Sequence, residues 1–256
     1  MPYQPPPGTQ VVAHRGNSGP LPENTRLAIE SAIEAGVDMV EVDIRVTGDG
    51  VPVLMHSAAV DNTTSGAGLV EDLMWDEIQA FDAGSWRGEQ FAGERVLSLN
   101  EVLELCLGRM ALNLDAKTPA AVTPVAAATI EAGVTDDIVI TGCGVECVQN
   151  VTSISASITT LFNPDELLEG IEPAEAGDVI RHSVEVAKEI GAVGINVHHE
   201  LVDADLIARA NEVGIGVWAY TIDDESRFAE LMDMGATSLT TNWPTRMLEV
   251  VRERSR

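Results

Sequence analysis

A strand pattern, a four-residue turn and a second strand pattern follow one another in MVEVDIRVTGDGVPVLMH, residues 39–56. Apolar residues alternate with polar ones in the first part, which is typical of a β-strand. The turn Thr47-Gly48-Asp49-Gly50 is too short for a helical crossover, because two parallel strands need a connection of a dozen or more residues. Residues 51–56 are therefore predicted to run back antiparallel as a hairpin.

Outside this hairpin, strand-like and helix-like patterns alternate along the chain, which predicts a parallel sheet covered by helices. The predicted parallel strands are 11–14, 39–46, 111–117, 137–142, 157–162, 192–198, 216–222 and 236–241. The predicted helices are 24–35, 99–107, 119–132, 144–150, 181–190, 203–213 and 224–234. Eight such strands in a chain of 256 residues predict an α/β fold of the (β/α)8 TIM-barrel class.

The region after the hairpin, residues 57–97, lacks a regular period and is rich in Gly, Asp and aromatic residues. A connection of this length is commonly functional. We expect it to form a small insertion after the second strand, on the catalytic face of the barrel. No internal repeat or second domain is visible, so residues 1–256 are expected to form a single domain.

Side chains suited to chemistry stand at the ends of the predicted strands. In a barrel the carboxyl ends of all strands meet at one rim, where such side chains come together. The residues are His14, Glu41, Asp43, His56, Asp115 and Lys117.

Glu41 and Asp43 are two residues apart on one predicted strand, so both side chains point to the same face. Two carboxylates that converge inside a barrel repel each other unless a cation lies between them, and hard oxygen ligands favour Mg²⁺ or Ca²⁺. Asp115 supplies a third carboxylate. Taken singly, each acid is equally compatible with a solvated loop start. Together with the histidines and the lysine, they predict a divalent metal site.

The chain has 15 basic and 41 acidic residues, a formal net charge of -26. Such a charge argues against nucleic-acid partners and anionic membranes, because phosphates would be repelled. No apolar run reaches the length of a membrane span, so stable membrane insertion is not expected, and no signal peptide is visible, so a cytoplasmic location is expected. Cys106, Cys143 and Cys147 are expected to be buried reduced thiols. The oligomeric state stays open.

The motifs and their order resemble those of the glycerophosphodiester phosphodiesterases, in the phospholipase C-like TIM-barrel phosphodiesterase superfamily. The resemblance covers nearly the whole chain, and the combined order and spacing are specific, whereas a lone His-Arg-Gly means almost nothing. The matching segments include His14-Arg15-Gly16, Glu23-Asn24-Thr25, 41–47, 53–56, 81–86, 91–95, 112–117, 217–221 and 239–244.

The resemblance implies metal-dependent hydrolysis of a small-molecule glycerophosphodiester to sn-glycerol 3-phosphate and an alcohol. It implies that His14 and His56 are the general acid and base, and we expect His56 as the base and His14 as the acid. It also places Glu41, Asp43 and Asp115 at the metal, Arg15 and Lys117 at the phosphate, and Glu23 near the site. At the end of the seventh strand, Trp218 is expected to form an apolar wall against the glycerol carbons.

Three positions depart from the family pattern. Asp115 stands where a glutamate is usual, Ser57 replaces an acid after the second histidine, and Asn242 replaces an aspartate near the last strand. Two alternatives therefore stay open. One is a phosphodiesterase of the sphingomyelinase D or lysophospholipase D type, and the other is a catalytically silent barrel that binds a phosphorylated ligand.

Overall fold

The computed structural model describes residues 3–5, 7–142 and 144–254. Eight parallel strands close into a barrel, since the first strand pairs with both the second and the last. The (β/α)8 prediction is confirmed. The strands are β1 (Gln10–His14), β2 (Met39–Val46), β3 (Pro52–Leu54), β4 (Ala111–Ala116), β5 (Ile138–Thr141), β6 (Thr159–Phe162), β7 (Gly194–His198), β8 (Gly216–Tyr220) and β9 (Ser238–Thr241).

The short strand β3 lies outside the barrel and pairs antiparallel with β2, as the four-residue turn predicts. Leu54 lies opposite Ile44, and Pro52 lies opposite Val46. β3 therefore starts beside the carboxyl end of β2 and runs back toward Asp43, whose carbonyl accepts from the Met55 N–H. His56 therefore returns to the rim that carries Asp43.

Helices fill the crossovers and cover the barrel. They are α1 (Arg26–Ala35), α2 (Trp75–Ile78), α3 (Leu99–Cys106), α4 (Pro119–Ala132), α5 (Val145–Ile154), α6 (Ala176–Ile190), α7 (Ala204–Val213), α8 (Glu225–Met234) and α9 (Pro244–Arg254). The long crossover helices were predicted, whereas α9 was not, and α6 begins five residues before its predicted start.

Two apolar regions hold the barrel together. The larger lies between strands and helices and includes Ile29, Leu112, Phe162 and Phe228, all buried. The smaller fills the barrel interior with Tyr3, Val12, Met39, Val139, Leu161 and Trp218. Side chains thus plug the interior, and the carboxyl-end mouth above them is where enzymes of this fold carry their active sites.

The insertion at 57–97 has an apolar core of its own, which includes Met55, Val60, Val70 and Ile78. One set of hydrogen bonds stabilises its later part, residues 82–93. The Asp82 carboxylate accepts hydrogen bonds from the backbone N–H groups of Gly84, Ser85 and Gly93. These donors lower the pKa of Asp82 well below its usual value. The insertion is therefore an ordered unit beside the rim.

The expectation of reduced cysteines is only partly correct. Cys106 is a free, buried thiol, and burial raises its pKa to about 11. Cys147 is disulfide-bonded, which contradicts the expectation for that residue. The expectation for Cys143 lies outside the described residues. No helix in the described part of the chain is long and apolar enough to cross a membrane.

Candidate active site

Strand register brings the predicted site residues to one end of the barrel. His14 on β1 pairs with Glu41 on β2, and Asp43 pairs with Asp115 on β4. In a parallel sheet, residues paired in this way project to the same face. Lys117 follows β4 directly, and its backbone N–H donates to Ile44. Three strand ends thus supply one cluster, as expected from the alternating pattern.

Glu41, Asp43 and Asp115 each offer a carboxylate oxygen within 4.8 Å of the other two. Glu41 is 4% exposed and Asp43 is fully buried. Burial raises the pKa of Glu41, and the charges of Asp43 and Asp115 raise it further. Burial likewise raises the pKa of Asp115. Three buried carboxylates at this separation create a strong demand for positive charge.

Two cations of the chain meet part of that demand. Lys117 Nζ lies 2.7 Å from Asp43 Oδ1 and also contacts Asp115 Oδ2. Arg15 Nε lies 3.0 Å from Asp43 Oδ2, and Arg15 Nη1 donates to Glu23 over 2.9 Å. Burial acts to raise the pKa of Asp43, but Lys117 and Arg15 outweigh it and keep this pKa below its usual value. Three carboxylates against two cations still leave a negative centre.

The backbone at this centre is held in unusual conformations. Arg15 and Asn24 both have φ of 56°, a region that residues other than glycine seldom adopt. Each conformation serves a contact. The Arg15 N–H donates to Glu41 over 2.9 Å, and the Asn24 side chain donates to Asp43 over 2.8 Å. Thr25, not Asn24, caps α1 by accepting from Ala28, so Asn24 is a support for the metal-site carboxylate.

His14 is held through a chain of hydrogen bonds that the sequence did not reveal. His14 Nδ1 lies 2.7 Å from Asn242 Oδ1, and Asn242 Nδ2 donates to Asp223 Oδ2 over 2.7 Å. The Asp223 carboxylate only accepts, so it fixes the Asn242 amide with its oxygen toward the histidine. His14 Nδ1 must then carry the proton. Burial, followed by the charge of Arg15, lowers the pKa of His14 to about 4.

The tautomer leaves His14 Nε2 with a free lone pair directed into the carboxylate cluster, 3.8 Å from Glu41 Oε2. His56 follows β3, which pairs with β2 on the edge away from β4, the same edge that pairs with β1. Its ring lines the same cavity, and its backbone carbonyl accepts from Arg45 Nε over 2.9 Å. Burial lowers the pKa of His56 as well. Both histidines, whose pKa values are lowered, therefore face one cavity and are candidates for proton transfer.

The cavity at the barrel mouth has a volume of about 440 Å³, within the range of roughly 300–1,000 Å³ usual for small-molecule sites. The catalytic candidates line one half. Asn163, Asp165, Asn196, His198 and Tyr220 line the opposite half, on or after β6, β7 and β8.

Trp218 does not line this cavity, and the expectation of a tryptophan wall is corrected here. Its side chain is 2% exposed and packs inside the barrel with Tyr3 and Met39. Tyr220, two residues further along β8 on the same face, reaches the mouth instead. Trp218 lies too deep in the barrel to contact a ligand at the rim.

Gly16 closes the His-Arg-Gly turn against α1, and this contact yields a stability prediction. Gly16 has φ of 78°, and a Cβ there would lie 2.6 Å from the Ala28 carbonyl carbon. Gly36 has the same φ but open space around the Cβ position. We expect Gly36→Ala to lower the free energy of unfolding by about 1–2 kcal/mol, the cost of the left-handed backbone. Gly16→Ala should cost about 1–3 kcal/mol more, because its methyl group overpacks the backbone.

Urea unfolding of both variants checks this prediction. Equal losses of unfolding free energy would mean that the turn moves away from α1 without cost. The close approach would then have no part in fixing the position of Arg15.

Fold and site together define a (β/α)8-barrel enzyme whose mouth carries a carboxylate triad, two histidines and two cations. The chain belongs to the glycerophosphoryl diester phosphodiesterase family, whose model matches residues 14–139. A glycerophosphodiester phosphodiesterase of Bacillus altitudinis is 28% identical over 250 residues, covering 96% of this chain and 99% of that protein. One from Bacillus subtilis (strain 168) is 27% identical over 252 residues, covering 91% and 83%.

Solved structures agree with this assignment. A phosphodiesterase from Oleispira antarctica, in complex with the product sn-glycerol 3-phosphate, has a TM-score of 0.81 and 26% identity, covering 95% of this chain and 96% of that one. A glycerophosphodiester phosphodiesterase from Agrobacterium tumefaciens has a TM-score of 0.79 and 26% identity, covering 94% and 99%.

Proposed function

We propose that this protein hydrolyses glycerophosphodiesters to sn-glycerol 3-phosphate and an alcohol, with a divalent metal ion and with His14 and His56 as the proton-transfer pair. One observation carries the proposal. Glu41, Asp115, both histidines and both phosphate-binding candidates line a single cavity at the carboxyl end of the barrel, and Asp43 offers an oxygen within 4.8 Å of the other two carboxylates.

The triad fits a divalent cation of the Mg²⁺ or Ca²⁺ kind. All three donors are carboxylates, and Asp115 Oδ1 is buried without a hydrogen-bond partner in the described structure. The shorter Asp115, in place of the usual glutamate, still brings an oxygen into the cluster. When bound by Glu41, Asp43 and Asp115, such an ion would stabilise the negative charge that develops on a phosphodiester during hydrolysis.

Arg15 and Lys117 are suited to bind the phosphate of the substrate. Each lines the cavity and is held by carboxylates, Arg15 by Glu23 and Asp43, Lys117 by Asp43 and Asp115. Donors that are already oriented stabilise developing charge without reorganisation in the transition state. Glu23 orients the guanidinium and does not itself approach the phosphate. Its proposed role is therefore positioning.

The hydrogen bonds favour His14 as the group that first receives a proton. With Nδ1 protonated toward Asn242, Nε2 is free to accept a proton from the attacking oxygen. A neutral asparagine also stabilises an imidazolium less than an aspartate would. This assignment reverses the sequence-based expectation of His14 as acid and leaves His56, in its protonated form, to give its proton to the departing alkoxide. It applies equally to attack by water and by the glycerol 2-hydroxyl.

The function is tested by measuring sn-glycerol 3-phosphate release from a panel of glycerophosphodiesters, with Mg²⁺, Ca²⁺ or a chelator present. Metal-dependent release supports the proposal. Tight binding of the diesters without any release would support the silent barrel instead.

The partners of His14 provide a sharper test of its tautomer. In Asp223→Asn, the new amide can donate to Asn242, so the Asn242 side chain is expected to flip and place its NH₂ group against His14 Nδ1. The proton would then move to Nε2, and we expect kcat to fall about 10- to 100-fold with little change in KM. The double variant Asp223→Asn, Asn242→Asp again offers His14 an acceptor and should recover most of the lost kcat.

Nitrogen NMR of the His14 ring reports the tautomer directly in all three proteins. If Asp223→Asn loses kcat while His14 Nδ1 stays protonated, the hydrogen-bond mechanism is disproved. Recovery of kcat in the double variant would support the mechanism, because the second substitution would not repair a simple structural defect.

A second candidate is a phospholipase of the sphingomyelinase D type, which must work at a lipid surface. The insertion exposes Leu69, Met74 and Trp86, at 39%, 49% and 41% of their side-chain surface. Exposed apolar side chains of this kind are what such an enzyme needs. Choline release from sphingomyelin vesicles, in place of release from soluble diesters, would favour this candidate.

A further inference from the structure

From the half of the cavity opposite the metal-binding candidates, we infer a specificity subsite for a positively charged alcohol head group, formed by Asp165 and Tyr220. The inference rests on the proposed function and deepens it, because it names which glycerophosphodiesters the site prefers. The chemical class is a primary or quaternary ammonium group attached to the phosphate through a short alcohol.

The arrangement of strands separates the two halves of the cavity. Around the closed barrel, β2 and β4 lie across from β7 and β8, and β1 lies across from β6. A diester whose phosphate is bound by Arg15 and Lys117 must therefore extend one arm toward the wall formed by the ends of β6, β7 and β8. That wall meets either the glycerol or the alcohol head group.

The charge of this wall identifies the arm that it favours. The cavity cations, Arg15 and Lys117, both belong to the catalytic half, where carboxylates pair with them. The opposite half carries the Asp165 carboxylate beside amide, phenol and imidazole side chains. The glycerol arm is uncharged, whereas an ammonium head group carries a positive charge that this carboxylate attracts.

The Asp165 side chain is exposed at the rim and remains available to a ligand. Its contact with the Tyr220 hydroxyl, at 3.4 Å, is long for an O–H···O hydrogen bond. The Tyr220 ring is half-buried and packs edge-on to His198, with 6.1 Å between the ring centroids. A cation over the face of such a ring is attracted by its π-electrons. Carboxylate and ring together thus provide the two features that recognise an ammonium ion.

The two residues contribute differently. A primary ammonium donates hydrogen bonds to a carboxylate, whereas a quaternary ammonium has no N–H and gains relatively more from an aromatic face. Asp165→Asn should therefore weaken the preference for an ethanolamine head group more than that for choline. Tyr220→Leu should have the opposite order of effects.

The test compares kcat/KM for glycerophosphocholine and glycerophosphoethanolamine with that for glycerophosphoglycerol, whose head group is neutral. We expect the wild-type protein to prefer the cationic substrates, and Asp165→Asn to reduce the ratio of cationic to neutral kcat/KM by about three- to tenfold. Added salt should reduce the wild-type ratio, because the Asp165 side chain is exposed. Glu169→Gln removes the same charge from an exposed residue outside the cavity lining and should keep the wild-type ratio.

Calorimetric binding of the three diesters to a His14→Ala background separates the two proposals. If the background variant binds the cationic diesters more tightly and Asp165→Asn removes this difference, the subsite stands even if no diester is hydrolysed. If diesters are hydrolysed but Asp165→Asn leaves both the kinetic ratio and the binding difference unchanged, the subsite is disproved and the phosphodiesterase assignment survives.

Discussion

Replacement of His14 by alanine is expected to reduce kcat for glycerophosphodiester hydrolysis by about 100- to 10,000-fold, the usual contribution of a positioned acid–base group. The reason lies in its surroundings. Asn242 fixes the protonated Nδ1, and Nε2 faces the carboxylate cluster at 3.8 Å from Glu41. The measurement is steady-state release of sn-glycerol 3-phosphate at saturating substrate and metal.

A second substitution distinguishes lost proton transfer from lost structure. In His14→Asn, the amide NH₂ can replace Nδ1–H as the donor to Asn242, but nothing replaces Nε2. We therefore expect His14→Asn to be as inactive as His14→Ala while unfolding at a urea concentration closer to wild type. His182→Ala, an exposed histidine on α6, is the matched control and should keep full activity. Substantial activity in His14→Asn would remove His14 from the proton-transfer pair.

Much of the barrel and the carboxylate cluster could be predicted because both follow from strand periodicity. Alternation placed Glu41 and Asp43 on one face, and the short turn after Val46 required a hairpin that returns His56 to the rim. Each inference needs only local sequence and the rule that parallel strands end at the same edge. The predicted bounds of β2 are those observed, and the other strands differ by a few residues at their ends.

The position of Trp218 was predicted wrongly because periodicity gives the face of a strand but not the depth along the barrel axis. Trp218 and Tyr220 point the same way, yet Trp218 fills the interior and Tyr220 reaches the mouth. Depth depends on the stagger of neighbouring strands, and here Trp218 pairs with Ser238, the first residue of β9. That register cannot be obtained from either strand alone.

The hydrogen bonds behind His14 were also beyond the sequence. Asn242 is 228 residues from His14, and Asp223 belongs to the loop after β8. Closure of the barrel between β1 and β9 brings them together. The sequence marked Asn242 only as a departure from the family pattern. With asparagine at position 242, His14 has no carboxylate as its direct partner. The sequence gave no sign that Asp223 supplies a carboxylate one residue further along the chain of hydrogen bonds.

Helix α9 was missed because its apolar pattern is weak. Pro244 and Met247 are its buried residues, while most of the remaining side chains are charged or only partly buried. Its partners are α1, α8 and β1, so it becomes stable only when the barrel closes. Tertiary packing, more than local propensity, explains this helix.

Neutralisation of one metal-site carboxylate, in Glu41→Gln, is expected to affect stability and activity in opposite directions. Without metal, the variant should be more stable than wild type, because burial and the charges of Asp43 and Asp115 already raise the pKa of Glu41. With metal, the order should reverse, since an ion that binds the folded state raises the melting temperature, and raises it more the more tightly it binds. We expect the Mg²⁺- or Ca²⁺-induced rise in the melting temperature of wild type to be largely lost in the variant.

Activity should fall with the metal. A bound ion commonly contributes several kcal/mol to stabilising transition-state charge, so chelation of wild type and the Glu41→Gln substitution should each reduce hydrolysis by roughly 1,000-fold. The glutamine carbonyl that this substitution introduces can still accept the Arg15 N–H, so the His-Arg-Gly turn should survive. Glu104→Gln, a change at an exposed position on α3, is the control and should alter neither the metal response nor the rate. Full activity in chelator, with no metal-dependent shift in melting temperature, would leave phosphate binding to Arg15 and Lys117 alone. The carboxylates would then serve only to orient these two cations.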